Sequence, residues 1–203
     1  MKIILKIKIL IKILIIISCS SHPSLAERIS LNKISDYING LTTLQADFEQ
    51  INSDGSIDRG KLYIRRPGRM RLEYTAPNNA LVIAGAGSVA IFDDKSKNGP
   101  TLFPLKKTPL NLLLKKNVDL YKNEMITEHT ANNENTFIVA KDPKRKSQGS
   151  IKIVFSNSPV SLQGWTITNQ SNQKTKIILD KLDKKTKIPL YLFNISAASK
   201  NKN

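Results

Sequence analysis

The sequence predicts an α+β chain that is mainly antiparallel β, arranged as a sheet, a sandwich or an open barrel. Three observations predict it. Short runs alternate apolar and polar residues, as when Leu44, Ala46 and Phe48 interleave with Gln45, Asp47 and Glu49. Turn formers separate those runs at short intervals: Ser53-Asp54-Gly55, Pro67-Gly68, Gly85-Ala86-Gly87, then Pro143, Gly149, Pro159 and Asn169 to Asn172. Helical periodicity is confined to one early segment and one compact leucine cluster in mid-chain. No internal repeat or linker divides the 203 residues, so one domain with a sizeable core is expected from residue 27 to 203.

Residues 1–26 read as an export signal. Lys2, Lys6, Lys8 and Lys12 lead into the apolar run Ile13 to Ile17, and Ser24-Leu25-Ala26 supplies a small-x-small cleavage pattern that leaves Glu27 first. The uncharged run is far shorter than the roughly 20 residues that span a bilayer. Cys19 is the only cysteine and lies inside this leader, so cleavage leaves no disulfide and no thiol chemistry. A rival reading of the same residues stays open. Ile16-Ile17-Ser18-Cys19 resembles the apolar–apolar–small–Cys box of bacterial lipoproteins, whose cysteine is acylated.

The first element of the mature chain is an amphipathic helix over Ser30 to Asn39. Leu31, Ile34, Ile38 and Leu41 recur at spacings of three and four, Ser30 can cap the start and Gly40 can end it. Strands begin at Leu44. In the next one Leu62 and Ile64 share a face, and the following residue on that face is Arg66. Pro67 stops the ladder because it has no N–H to donate. Beyond the turn, Met70, Leu72 and Tyr74 resume the apolar face, while Arg65, Arg69 and Arg71 fall on the opposite, solvated one. A guanidinium beside an apolar surface is costly unless it finds a partner. Arg66 is either a strand-end residue whose head reaches water over its own stem, or part of a surface built to be covered and uncovered.

Ala80 to Ala84 and Val89 to Phe92 form the next hairpin, joined by Gly85-Ala86-Gly87. That glycine pair lacks the third glycine, the following helix and the lysine of a phosphate loop. From Asp93 to Pro109 the chain reads as a polar loop. Thr108 can then cap, and Pro109 open, a short helix over Leu110, Leu112, Leu113 and Leu114 that Lys115 and Lys116 close. A helix this short must be held by packing. Apolar almost all round, it is a core plug or a movable cover. Further strands follow at Thr136 to Ala140, Ile151 to Phe155, Gly164 to Thr168 and Lys176 to Leu182, and the tail Ser199 to Asn203 is polar and frayed.

Composition excludes more than it specifies. The net charge is +16, and removing the four leader lysines leaves 28 basic against 16 acidic residues, or +12. Such a surface favours acidic partners. Only 6% of residues are aromatic, and no basic–aromatic interleaving marks a nucleic-acid reader. His129, beside Glu128 in a polar stretch, is the one histidine after the leader and makes no metal cluster of familiar spacing. Asp93-Asp94 reads as a turn, and no serine has a nucleophile-elbow context. No enzyme, cofactor or metal site is expected.

Three segments carry a resemblance. Leu44 to Gln50, then Gly60 to Tyr74 with Pro77, then Thr108-Pro109-Leu110 with its leucines resemble the periplasmic outer-membrane lipoprotein carrier family, LolA. The resemblance implies a half-open β-barrel whose apolar concave face holds acyl chains of lipoproteins and is covered by short lid helices. It places Arg66 as the residue that fastens the lid, at about 104–117, when the cavity is empty. Phe48, Leu62, Ile64, Met70, Leu72, Tyr74 and Ile91 would line the cavity, with Met70 at a spot usually aromatic and Tyr63 as the aromatic beside the inward residues. It further implies a periplasmic monomer that is loaded by an inner-membrane lipoprotein-releasing ABC transporter. Delivery would be to an outer-membrane receptor or to that membrane itself. An anchored receptor of the LolB type with Cys19 acylated is one alternative. A cationic binder of anionic envelope polymers is another.

Overall fold

The computed structural model describes residues 28–93, 99–122, 124–142 and 149–202. The expected leader, with Cys19 and the cleavage tripeptide at 24–26, lies outside the described residues, as does Asp94. Eleven strands form one sheet: β1 (Thr43–Ile51), β2 (Ile57–Arg65), β3 (Arg69–Tyr74), β4 (Leu81–Gly85), β5 (Ser88–Phe92), β6 (Thr101–Pro104), β7 (Ile126–Ala131), β8 (Asn135–Ala140), β9 (Ser150–Asn157), β10 (Val160–Thr168) and β11 (Lys174–Asp183). Every pairing is antiparallel, and the order is β6-β5-β4-β3-β2-β1-β11-β10-β9-β8-β7. Two meanders thus meet where the last strand returns to the first, and the sheet stays open with β6 and β7 as its edges.

Pleat and register put the alternating residues on one face. Leu44 and Ala46 of β1 stand opposite Ile64 and Leu62 of β2, which stand opposite Met70 and Leu72 of β3. They join one apolar cluster with Ile138, Ile151, Ile153, Phe155, Trp165 and Ile177 from the other meander. Helix α1 (Leu31–Gly40) lays Ile34 and Ile38 on that cluster. Ser30 caps it as expected, its Oγ accepting from Lys33 N at 3.2 Å.

Three expectations fail on the other face and at the tail. Arg65 and Arg71 do not face water. Arg65 Nη1 donates to Ile188 O at 2.6 Å and Arg71 Nη1 to Leu192 O at 3.2 Å. They fasten a C-terminal strap, a 3-10 turn (Leu190–Phe193) followed by helix α3 (Ile195–Lys202), which runs into the tail from Ser199 that was expected to fray. Ile188 and Phe193 of the strap pack with Leu81, Ile83, Ala90 and Phe92 into a second, smaller apolar cluster. Its apolar run, Ile188 to Phe193, is continuous rather than periodic and names no partner, so the strap was illegible. Gly85 lets it approach, since a Cβ there would lie 2.4 Å from Phe193 O. Gly85→Ala should therefore cost about 1–3 kcal/mol by overpacking. A thermal melt equal to the wild type's would show that the strap is loosely held.

Two strands were also missed. β6 lies in the segment read as a polar loop, and β7 holds His129. Neither alternates cleanly, because each is an edge strand with little to bury. His129 ties down the start of the described chain: its Nε2 lies 2.8 Å from Ile29 O, and Arg28 Nη1 donates to His129 O at 2.6 Å. Desolvation holds the imidazole below its ordinary range, outweighing the hydrogen bond to Ile29. Its contribution to stability is thus present above about pH 6.5 and lost as pH falls through the lowered folded value. The melting temperature should drop between pH 7 and pH 5, and less so in His129→Gln. An equal drop in both proteins would assign it to other groups.

Candidate functional site

Arg66 follows the last residue of β2, its amide donating to Thr42 O at 2.8 Å. The side chain turns inward to the place where two helices end. Nη1 donates to Ile38 O and, at 3.4 Å, to Leu41 O; Ile38 lies in the last turn of α1 and Leu41 caps it. Nη2 donates to Lys115 O at 2.6 Å and Lys116 O at 3.4 Å. Lys115 caps helix α2 (Asn111–Leu114). Carbonyls at a helix C-terminus lack intrahelical donors and carry partial negative charge, so one cation serves both ends. Nε is buried and has no partner among the described residues. Burial lowers the guanidinium's pKa, but from a range so high that the charge stays.

The segment after β6 is fixed by more than this one residue. Gly68 N, in the β2–β3 turn, donates to Leu114 O at 2.7 Å. Asn39 of α1 both donates to Val118 O, at 2.8 Å, and accepts from Val118 N, at 2.9 Å. Ser35 Oγ accepts from Leu120 N at 3.0 Å. Residues 114–120 are in this way laced to the β2–β3 turn and α1, and Val118 and Leu120 join the leucines before them in the main apolar cluster. Leu110, Leu112, Leu113 and Leu114 are 8%, 3%, 4% and 0% exposed and belong to the main apolar cluster.

The local structure of this segment differs from the expectation. Thr108 and Pro109 do not open a helix. A 3-10 turn (Leu105–Lys107) comes first, Thr108 Oγ1 donates back to Leu105 O at 2.8 Å, and Leu110 occupies the N-cap of a four-residue α2. Leucine cannot cap with its side chain, so packing, with the bonds its C-terminal carbonyls accept from Gly68 and Arg66, holds this helix.

Most residues singled out from sequence meet here. Phe48, Leu62, Ile64, Met70 and Leu72 are buried in the main cluster, Met70 at 0% exposure. Tyr74 packs at its margin, its ring edge-on to Phe48 at 5.0 Å and its hydroxyl donating to Gln50 Oε1 at 2.6 Å. Desolvation pushes the Tyr74 phenol up to about 12. Ile91 is half-buried opposite Val82 and lies outside the cluster; Val89 is the β5 residue that enters it. Tyr63 lies on the opposite face, against the C-terminal strap. The residues missed come from the second meander, chiefly Trp165, Phe155 and Ile153. Alternation in Ile151, Ile153 and Phe155 would have found them.

Among the described residues no three His, Cys, Asp or Glu side chains gather to hold a metal. The class the fold defines is an open antiparallel sheet with few helices, one arginine joining the ends of two of them. Residues 39–196 match the family described as outer membrane lipoprotein carrier protein LolA, and the chain belongs to that family. It is 25% identical over 166 residues to an outer-membrane lipoprotein carrier protein of Methylococcus capsulatus, covering 78% of this chain and 79% of that one. An uncharacterized protein of Rickettsia prowazekii is 28% identical over 187 residues, covering 92% and 86%. A crystal structure of an outer membrane lipoprotein-sorting protein domain from Vibrio parahaemolyticus shares the fold, with TM-score 0.51, 12% identity, and 83% and 97% of the chains covered.

Proposed function

We propose that this protein is a periplasmic chaperone that takes up the acyl chains of lipoproteins beneath a movable lid, residues 104–117, and carries them from the inner to the outer membrane. The observation that carries this reading is Arg66, a half-buried cation that ties a leucine-rich cover and helix α1 together through main-chain carbonyls of both. Burying an acyl chain gains about 0.8 kcal/mol per methylene, on the order of ten for one chain. A carrier has to match much of that and still let go. Leu110, Leu112, Leu113 and Leu114 substitute for the chains when none is bound, which keeps an apolar wall from aggregating. Cargo displaces them and strips Arg66 of its acceptors, at a cost of about 1–3 kcal/mol that favours release.

Loading would come from an inner-membrane lipoprotein-releasing ABC transporter, and delivery would go to an outer-membrane receptor or to the membrane directly. The chain would act as a monomer after cleavage behind residue 26. The test is titration of the mature protein with a fluorescent apolar probe. Saturation at one equivalent, with displacement by acylated lipoprotein, is expected; a protein that binds only charged polymers would not take up the probe. The Ile16 to Cys19 box supports a second reading, a membrane-anchored receptor. Mass spectrometry of the mature N-terminus should find Glu27 free for the carrier and an acylated Cys19 for the receptor.

A further inference from the structure

The C-terminal strap covers the outer face of one meander only. Over β8 to β11 none of the described elements covers the same face, which forms a trough of about 1380 Å³. Register orders its floor into rows that run across the strands. Phe137 stands opposite Val154, Val154 opposite Gly164, and Gly164 opposite Ile178, an apolar row with a dip where glycine has no side chain. The next row is Val139, Lys152, Thr166 and Lys176. Beyond it Ser150, Thr168 and Lys174 face one another in a third, and Lys141 also borders the trough on that side. The arrangement is amphipathic across the sheet, apolar on one side and basic on the other.

Its lysines stand in adjacent rows of one face, away from the carboxylates that other cations of the sheet reach. Lys61 and Lys181 reach Asp47 at 3.0 and 3.1 Å, and Arg59 reaches Glu49 at 2.8 Å. Lys141, Lys152, Lys174 and Lys176 form no ion pair among the described residues, although Asp54 and Glu128 also border the trough. Lys152 instead lies over the Phe137 ring, 4.3 Å from its centroid. Ile178 is 37% exposed in the floor.

We infer that this trough binds a single anionic lipid, its chain laid along Phe137, Val154, Gly164 and Ile178 and its phosphate among Lys152, Lys174 and Lys176. The row spans three strand spacings, about 14 Å, which gives an extended chain a floor of side chains to lie along. Concavity argues the same way, because a flat membrane cannot enter a trough walled by the β1–β2 and β10–β11 turns. Unpaired cations beside apolar surface suit a phosphate head on an apolar tail. The site uses the face of the sheet away from α1 and α2, so it stands apart from the carrier reading.

The experiment titrates the mature protein with dodecyl phosphate below its micellar concentration, and in parallel with inorganic phosphate and with dodecyl maltoside. A double variant, Lys152→Glu with Lys176→Glu, is run alongside, with uptake of a fluorescent apolar probe as the control for the interior. Dodecyl phosphate should bind at least tenfold more tightly than either other ligand. The variant should lose at least tenfold in that affinity while its probe uptake and melting temperature stay those of the wild type. Equal affinity in wild type and variant would overturn the site. So would phosphate or maltoside binding as tightly as dodecyl phosphate. Binding to phosphatidylglycerol vesicles without binding the monomer would also overturn it, assigning the face to membrane docking.

Discussion

Arg66→Leu should retain acylated lipoprotein that the wild type gives up. The guanidinium donates to carbonyls at the ends of both α1 and α2, so its removal leaves two helix termini without their shared donor. Leucine keeps the packing of the inner part of the stem only, and it removes the desolvated charge along with its bonds. Net loss from the closed state is therefore placed at about 1–2 kcal/mol. Apparent affinity for cargo is the intrinsic affinity reduced by the fraction of protein that is open. Weakening closure by that amount raises it roughly five- to thirtyfold. Co-purification from envelope extracts is the readout, and retention equal to or below that of wild type would defeat the idea. Arg66→Lys should fall between the two, since a point charge cannot fork to Ile38 and Lys115 together.

Met70→Glu should abolish loading altogether. Met70 is fully buried, opposite Ile64 on one side and Ala84 on the other, in the cluster that the leucines of α2 complete. A carboxylate there costs several kcal/mol unless it is protonated or escapes to water, so closure and uptake are both penalised. Met70→Ala separates the two effects. It leaves a void and lowers stability by about 2–5 kcal/mol, yet keeps the wall apolar and should still accept the probe. Normal extraction of lipoprotein from membranes by Met70→Glu would show that Met70 does not line the acyl site.

Much of this was readable in the residues, and the rest was hidden for physical reasons. Strands β1 to β3 could be read because one face is buried and the other is not, which writes a period of two into Leu44, Ala46, Phe48, Leu62 and Ile64. Arg66 could be singled out because it breaks that pattern at one point. Its partners could not, since Ile38 and Lys115 contribute main-chain carbonyls that every residue possesses. The local form of α2 misled, because Thr108-Pro109 is a good start signal that tertiary packing overrode. Edge strand β7 was invisible for want of apolar surface, β6 because all four of its residues stay exposed and write no alternation, and the strap over Tyr63 because its apolar run has no period. Ile91, placed by resemblance, shares a face with Val89 but lies too near the margin to be covered.

Amide hydrogen exchange tests the opening of the cover most directly. In the empty protein the amides of Leu112, Leu113, Leu114, Val118 and Leu120 are all donated to internal acceptors and should be protected. With an acylated lipoprotein bound, protection of residues 112–120 should fall by at least tenfold while β1, β2 and β3 keep theirs. Unchanged protection of those five amides in a cargo-loaded complex would mean that the leucines never leave the sheet.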